Sequence, residues 1–169
     1  QRPGELSFIP VQTVRSWHIP DTPSNRQMTF AKFSQRFHLG FSATRSSITL
    51  SKDQIEVVPD IVSDSGTILS DGAGRVGVDT MERIVAAIGE AFTPFLQNRP
   101  MSNLKGTLMV DPAIIDGKII VPKSMLKWEI PNPTPEQLTV EVNRLARPAK
   151  TVALNRQFVS ALQGAGVPK

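Results

Sequence analysis

The chain has 169 residues, enough for one domain with a buried core. Apolar residues make up 40% and charged ones 20%, while 14 prolines and 11 glycines in short clusters favour many short elements, and so a β-rich domain with few helices. The absence of cysteine excludes disulfides and thiolate zinc sites, and two histidines cannot build an ordinary metal site without carboxylates.

Lysine and arginine exceed the acids by 19 to 15, a net charge of +4 that suits a polyanionic partner without requiring one. No apolar run approaches the roughly 18 residues of a spanning helix, and no charged-then-apolar leader is present. The expectation is a soluble intracellular protein, nuclear or cytoplasmic, with no membrane partner. The chain opens at Gln1 rather than Met, which reads as a fragment or a processed product.

Residues 1–24 carry Pro3, Pro10, Pro20 and Pro23, read as an extended lead-in with one strand around Val11–Val14. Ser24 or Asn25 can cap a helix running to Phe37 and stopping at Gly40. Phe30, Phe33 and Phe37 share one face of it, and Arg26, Lys32 and Arg36 lie elsewhere, facing either solvent or RNA. Strands are expected at Ser47–Leu50 and Ile55–Val58.

Gly72-Ala73-Gly74-Arg75-Val76-Gly77 fits the spacing GxGxxG of a dinucleotide-binding turn. Against a cofactor there, an Asp79/Glu82 capping box starts the next helix beyond the last glycine, and no strand ending in an acid follows about 20 residues on. The plainer alternative is a tight turn with glycines at positive φ, capped by Asp71. The following helix is expected over Asp79–Phe92, ended by Pro94.

Three short strands then follow, Thr107–Val110, Lys118–Val121 and Met125–Ile130, bounded by Asp111-Pro112, Asp116-Gly117 and Pro122. Lys105 stands at the mouth of the first. Lys127 alternates with Leu126 and Trp128 and so should point away from the core. Pro131 to Pro135 form a rigid connector, and Leu138, Val140 and Val142 alternate with polar residues as another strand. A basic loop of Arg144, Arg147 and Lys150 precedes a helix from Leu154 to about Leu162, closed by Gly164 and Gly166.

Several phrases in order carry a resemblance: Leu39-Gly40-Phe41-Ser42-Ala43-Thr44, Ser70-Asp71-Gly72-x-Gly74-Arg75, Gln97-x-Arg99, Lys105-Gly106, Val110-Asp111-Pro112, Pro122-x-Ser124-Met125-x-Lys127 and Leu154-Asn155-Arg156-Gln157 with Gly166-Val167-Pro168. From about Met28 to Pro168 the chain resembles the first of the two catalytic barrels of eukaryotic cellular RNA-dependent RNA polymerases, the RNA-silencing kind. The resemblance implies a mainly β fold with a few helices, a double-psi β-barrel with flanking helices. Residues 1–40 would be the lead-in and helix, 41–153 the barrel, and 154–169 the start of a helical connector toward the second barrel.

It also implies a nucleotidyltransferase that copies single-stranded RNA into complementary RNA, with RNA template, nascent RNA, nucleoside triphosphates and the second barrel as partners. Lys105, Lys127, Arg99 and Asp71 would lie in the catalytic cleft, the cations meeting phosphate and Asp71 pairing with one of them. Gln97, Arg75, Arg144 and Arg147 would meet RNA. The family's Mg2+ is held by three aspartates in a DxDGD phrase of the second barrel, and this sequence has no such phrase. Asp64, Asp71, Asp111 and Asp116 are scattered singly, so this part alone should not polymerise RNA. Two rivals remain, a non-catalytic RNA-binding or assembly module and a dinucleotide-dependent enzyme using Gly72–Gly77.

Overall fold

A computed structural model describes residues 10–99, 101–115, 117–146 and 156–166. Its centre is a seven-stranded mixed sheet with the spatial order β1-β7-β4-β5-β3-β6-β2. The strands are β1 (Arg45–Thr49), β2 (Ile55–Val58), β3 (Ala73–Val76), β4 (Phe95–Arg99), β5 (Gly106–Val110), β6 (Ile119–Pro122) and β7 (Thr139–Leu145). β3 runs parallel to β5, and β2 parallel to β6; the remaining neighbours are antiparallel. This bears out the mainly β expectation.

The core gathers where inward positions of the strands meet one helix. Val76, Leu96, Leu108, Ile119 and Val140 are fully buried from five strands. Met81 and Ile84 join them from α4 (Val78–Ala87). That helix starts at Gly77 without a side-chain cap, with Asp79 in its first turn, and Gly89 at φ +69° marks its end. The expected Asp79–Phe92 helix is therefore shorter, and the Asp79/Glu82 capping box is not formed. Among the described residues no helix is long and apolar enough to cross a membrane.

Three other readings are corrected. Val11–Val14 is not a strand but the start of α1 (Val11–His18), because Pro10 sits at the N-cap, where a proline costs no hydrogen bond, and the next proline is Pro20. The single helix expected to Phe37 is two, α2 (Pro23–Arg26) capped by Thr22 and α3 (Phe30–His38) capped by Thr29. Two threonine caps this close interrupt the run between them. Met125–Ile130 is not a strand: a 3-10 turn over Lys123–Met125 leads into an isolated bridge between Leu104 and Leu126. The helix expected from Leu154 is described over α5 (Arg156–Gly164), and Leu154 itself lies outside the described residues.

The three N-terminal helices are tied to the segment between β6 and β7 by buried polar groups and one histidine. The Asn25 side chain donates to the Glu129 carbonyl at 2.9 Å and accepts from the Glu129 N–H at 2.9 Å. Gln137 donates to the Trp17 carbonyl at 2.6 Å. The His18 ring packs 4.7 Å from Trp128 and 5.7 Å from Phe37, between centroids. Gly40 leaves room for it, since a Cβ there would lie 3.1 Å from the ring.

Burial holds the His18 pKa below its usual value near 6.5; a backbone contact at Arg36 opposes this and the Arg99 charge reinforces it. The unfolded chain then binds the proton more readily than the folded one. The contribution of His18 to stability is complete above pH 6.5 and is lost as pH falls below 6.5 toward the folded pKa. Urea midpoints measured from pH 7 down to about pH 5 should fall, and His18→Phe should flatten that slope.

One close approach sets the geometry of the sheet's open end. A Cβ on Gly106 would lie 2.3 Å from the Gly72 carbonyl oxygen and 2.8 Å from Met125 Cε. Gly106→Ala is therefore expected to cost about 1–3 kcal/mol, because the obstacle is backbone that cannot rotate away. Gly164→Ala, at the end of α5 with nothing within 4 Å, should leave the denaturation midpoint unchanged or raised.

Candidate active-site cleft

The GxGxxG stretch is not a phosphate-binding turn. Ala73 to Val76 form β3, with Gly74 and Val76 facing the core. A Cβ on Gly74 would meet the Ile120 carbonyl and Leu108, both at 2.9 Å, so that glycine serves strand packing. The turn lies just before, at Asp71-Gly72, where Gly72 takes φ +69°. Gly77 does cap α4, which the sequence reading placed further on, but it stands at the far end of β3 from Gly72.

That turn opens a cleft of about 460 Å3 between α3 and the starting ends of β3 and β5. Asp71 and Gly72 form one wall, Lys105 and Gly106 the next, and Lys127 a third. α3 closes it with Lys32, Gln35 and Arg36. Lysines 105 and 127, 22 positions apart in sequence, therefore share one hollow with Asp71, which is more than 30 positions before either. The cause is register: Gly106 packs on Gly72, the Thr107 N–H donates to the Gly72 carbonyl at 2.8 Å, and the Lys105 N–H donates to the Met125 carbonyl at 3.1 Å.

Four cationic side chains face one carboxylate across this space. Lys105 is exposed and its ammonium has no partner among the described residues. The Lys127 ammonium donates to the Ser124 carbonyl at 2.6 Å, leaving two of its three protons free. Asp71 faces the same space without an ion pair to a described residue. Unbalanced positive charge in a concave wall attracts a polyanion.

Arg99 and Gln97 come from β4, which the sequence reading did not anticipate. The two side chains differ in kind. Gln97 is exposed and lines, with Lys105 and the edge of Arg99, a smaller hollow of about 90 Å3. Arg99 is only 7% exposed; it donates to the Leu39 carbonyl at 2.6 Å and pairs with Glu141 at 2.5 Å. Both terminal nitrogens of its guanidinium are thus held by the protein itself.

The remaining sequence candidates are dispersed. Arg75 sits toward the other end of β3 and pairs with Asp111 at 2.9 Å. Arg144 is exposed on β7 opposite Gln97. Arg147 lies outside the described residues. Conversely, Lys32 and Arg36, read from sequence as facing either solvent or RNA, line the cleft. The missed group is Asp60, which ties the cleft's turns together and whose place after Pro59 gave no signal.

The cleft does not fit a metal. Asp71 is its one carboxylate, and among the described residues no three His, Asp or Glu side chains gather closely enough to hold an ion. A larger hollow of about 620 Å3 lies among α1, α2 and α3. Its charges are largely satisfied, with Arg26 on Asp21 at 2.6 Å and Arg15 over the Phe33 ring at 5.1 Å, so it lacks the convergent free cations of the cleft.

Comparison with known proteins gives this geometry a family. The model of the family described as RNA dependent RNA polymerase matches residues 2–169. RNA-dependent RNA polymerase 1 of Arabidopsis thaliana is 29% identical over 168 residues, covering 95% of this chain and 14% of that protein. The Oryza sativa subsp. japonica protein named "Probable RNA-dependent RNA polymerase 1" is 27% identical over 155 residues, 91% of this chain and 20% of that one. The solved structure of RNA dependent RNA polymerase QDE-1 from Thielavia terrestris superposes with a TM-score of 0.80 at 28% identity, covering 97% of this chain and 18% of that chain. The curled mixed sheet with its few helices, superposing this closely, fits the double-psi β-barrel implied by the sequence resemblance. The chain spans at most a fifth of these relatives, and with the family model matching nearly its whole length it belongs to the RNA-dependent RNA polymerase family.

Proposed function

We propose that this chain is the barrel that supplies the basic wall of the active-site cleft in a polymerase copying single-stranded RNA into complementary RNA for RNA silencing. The observation that carries this reading is the convergence of Lys105, Lys127, Lys32 and Arg36 on one hollow beside Asp71. Its partners are the RNA template, the nascent RNA, nucleoside triphosphates and the second catalytic barrel of the same polymerase.

Attack of a 3′-oxygen on a triphosphate spreads negative charge over the transferred phosphate and its leaving group. Fixed cations lower that barrier when they are already in place. Lys105 is free to approach the triphosphate; Lys127, steadied by Ser124, offers its remaining protons at a more defined point. Arg99 acts one layer back: joined to Leu39 and Glu141, it holds the end of α3 against β4 and β7 and so sets the width of the cleft. Gln97 and Arg144, cross-strand neighbours exposed on β4 and β7, would meet RNA. Mg2+ would supply charge neutralisation in the complete enzyme, with its ligands outside this chain; one carboxylate in the cleft is too few.

Replacing Lys105 or Lys127 with alanine in the complete enzyme should lower nucleotide incorporation by roughly 10²–10³, the penalty for removing one preorganised charge. Stability should scarcely change for exposed Lys105, since exposed lysines contribute at most a few tenths of a kcal/mol, and should fall by about 1 kcal/mol at most for half-buried Lys127, which loses one hydrogen bond. Lys118, exposed outside the cleft, is the control, measured by the same primer-extension assay. Equal damage from Lys118→Ala would mean that the surface is only generally basic.

A further inference from the structure

We propose that Asp60, outside the cleft wall, is a positioning residue that fixes the Lys127 ammonium through Ser124; this rests on the cleft assignment above. Asp60 follows Pro59 beyond the end of β2. Its carboxylate accepts three hydrogen bonds, from the Ser124 backbone N–H at 2.9 Å, the Ser124 hydroxyl at 2.5 Å and the Ser70 hydroxyl at 3.0 Å. Ser124 passes the constraint on in two directions. Its hydroxyl oxygen accepts from the Gly72 N–H at 3.2 Å, and its carbonyl accepts from the Lys127 ammonium at 2.6 Å.

One carboxylate thus ties together three segments distant in sequence: the end of β2, the Ser70–Gly72 turn, and the 3-10 turn that leads to Lys127. Holding Ser124 at both its N–H and its hydroxyl fixes the residue's orientation, and with it the direction of the carbonyl that receives Lys127. A lysine stem otherwise samples many rotamers, and a charge that wanders stabilises a transition state poorly. The carboxylate is suited to this work because it stays ionised: the Ser124 hydroxyl chiefly holds its pKa below the ordinary range, against some desolvation, helped by Ser70, the Ser124 N–H and Lys123. Charge-assisted hydrogen bonds of this kind are stronger than neutral ones. Asp60 is not among the residues lining the cleft, so it acts through Ser124 and not on the substrate.

The test is a double-mutant cycle in the complete polymerase, reading single-nucleotide incorporation at saturating and limiting triphosphate. Asp60→Ala should slow the saturated rate roughly 10- to 100-fold, the scale of a reacting group displaced by about an ångström. The same substitution should cost nothing further when Lys127 is already alanine, whereas a general loss of structure would slow both backgrounds alike. Asp60→Asn, which keeps one acceptor oxygen for the Ser124 hydroxyl but sets its NH2 against the Ser124 N–H, should recover only part of the rate and lie between Asp60→Ala and wild type. Additive losses, or an Asp60→Ala enzyme as fast as wild type, would overturn the tether while leaving the cleft assignment standing. A Lys127→Ala enzyme with full activity would overturn both. If Asp60→Ala unfolds below the assay temperature, Ser124→Ala takes its place in the cycle, and additivity with Lys127→Ala is again the overturning result.

Discussion

The contact between Gly106 and the Gly72 carbonyl governs how the two halves of the cleft meet. Two parallel strands, β3 and β5, begin side by side there, and the Thr107 N–H completes the junction by donating to the same carbonyl. Any side chain at position 106 would push the strand starts apart, because the space it needs is already filled by backbone. The residues just before those starts, Asp71 and Lys105, are then delivered to one place without either making a direct bond to the other. Asp71 and Lys105 owe their proximity to a missing Cβ.

The sequence carried some of this plainly and some not at all. β2 and β5 are short apolar runs between turn residues, and periodicity found them almost to the residue. β4 was invisible because its inward positions are partly polar: Asn98 is 1% exposed and Arg99 7%. A strand that buries an amide and a guanidinium shows no apolar alternation, and only its neighbours on both sides make it a strand. The segment after Met125 erred the other way. It reads as a strand, yet its backbone is spent on single contacts, the Lys127 N–H donating to the Asn103 carbonyl at 2.9 Å, and not on a ladder.

The site was legible in a different manner. Nothing in the spacing of Asp71, Lys105 and Lys127 says that they meet; the ordered phrases resembling a polymerase barrel said so, and the register of β3 and β5 supplies the cause. Lys32 and Arg36 were ambiguous because a helix face is decided by what packs across from it. The turn and 3-10 geometry around Ser124 had no counterpart in propensity or pattern, since it depends on hydrogen bonds between residues more than 50 positions apart.

Four of the arginines and the lysines of the cleft differ in use according to their chemistry, Arg36 being the one guanidinium that lines the cleft. Arg26, Arg45, Arg75 and Arg99 each hold a carboxylate within 2.9 Å, where a planar fork suits a fixed partner. Lys105 and Lys127 meet no carboxylate among the described residues. An ammonium on a four-carbon stem is a compact charge that can follow a phosphate as its geometry changes, and a neutralising carboxylate beside it would compete with that phosphate. Keeping acids other than Asp71 off the cleft wall costs some repulsion among the cations, which water and salt screen in the empty cleft. A polyphosphate bound there, as proposed, would relieve it. The repulsion left in the free protein would then be part of what favours the proposed bound state, and it would need no rearrangement of the fold to be released.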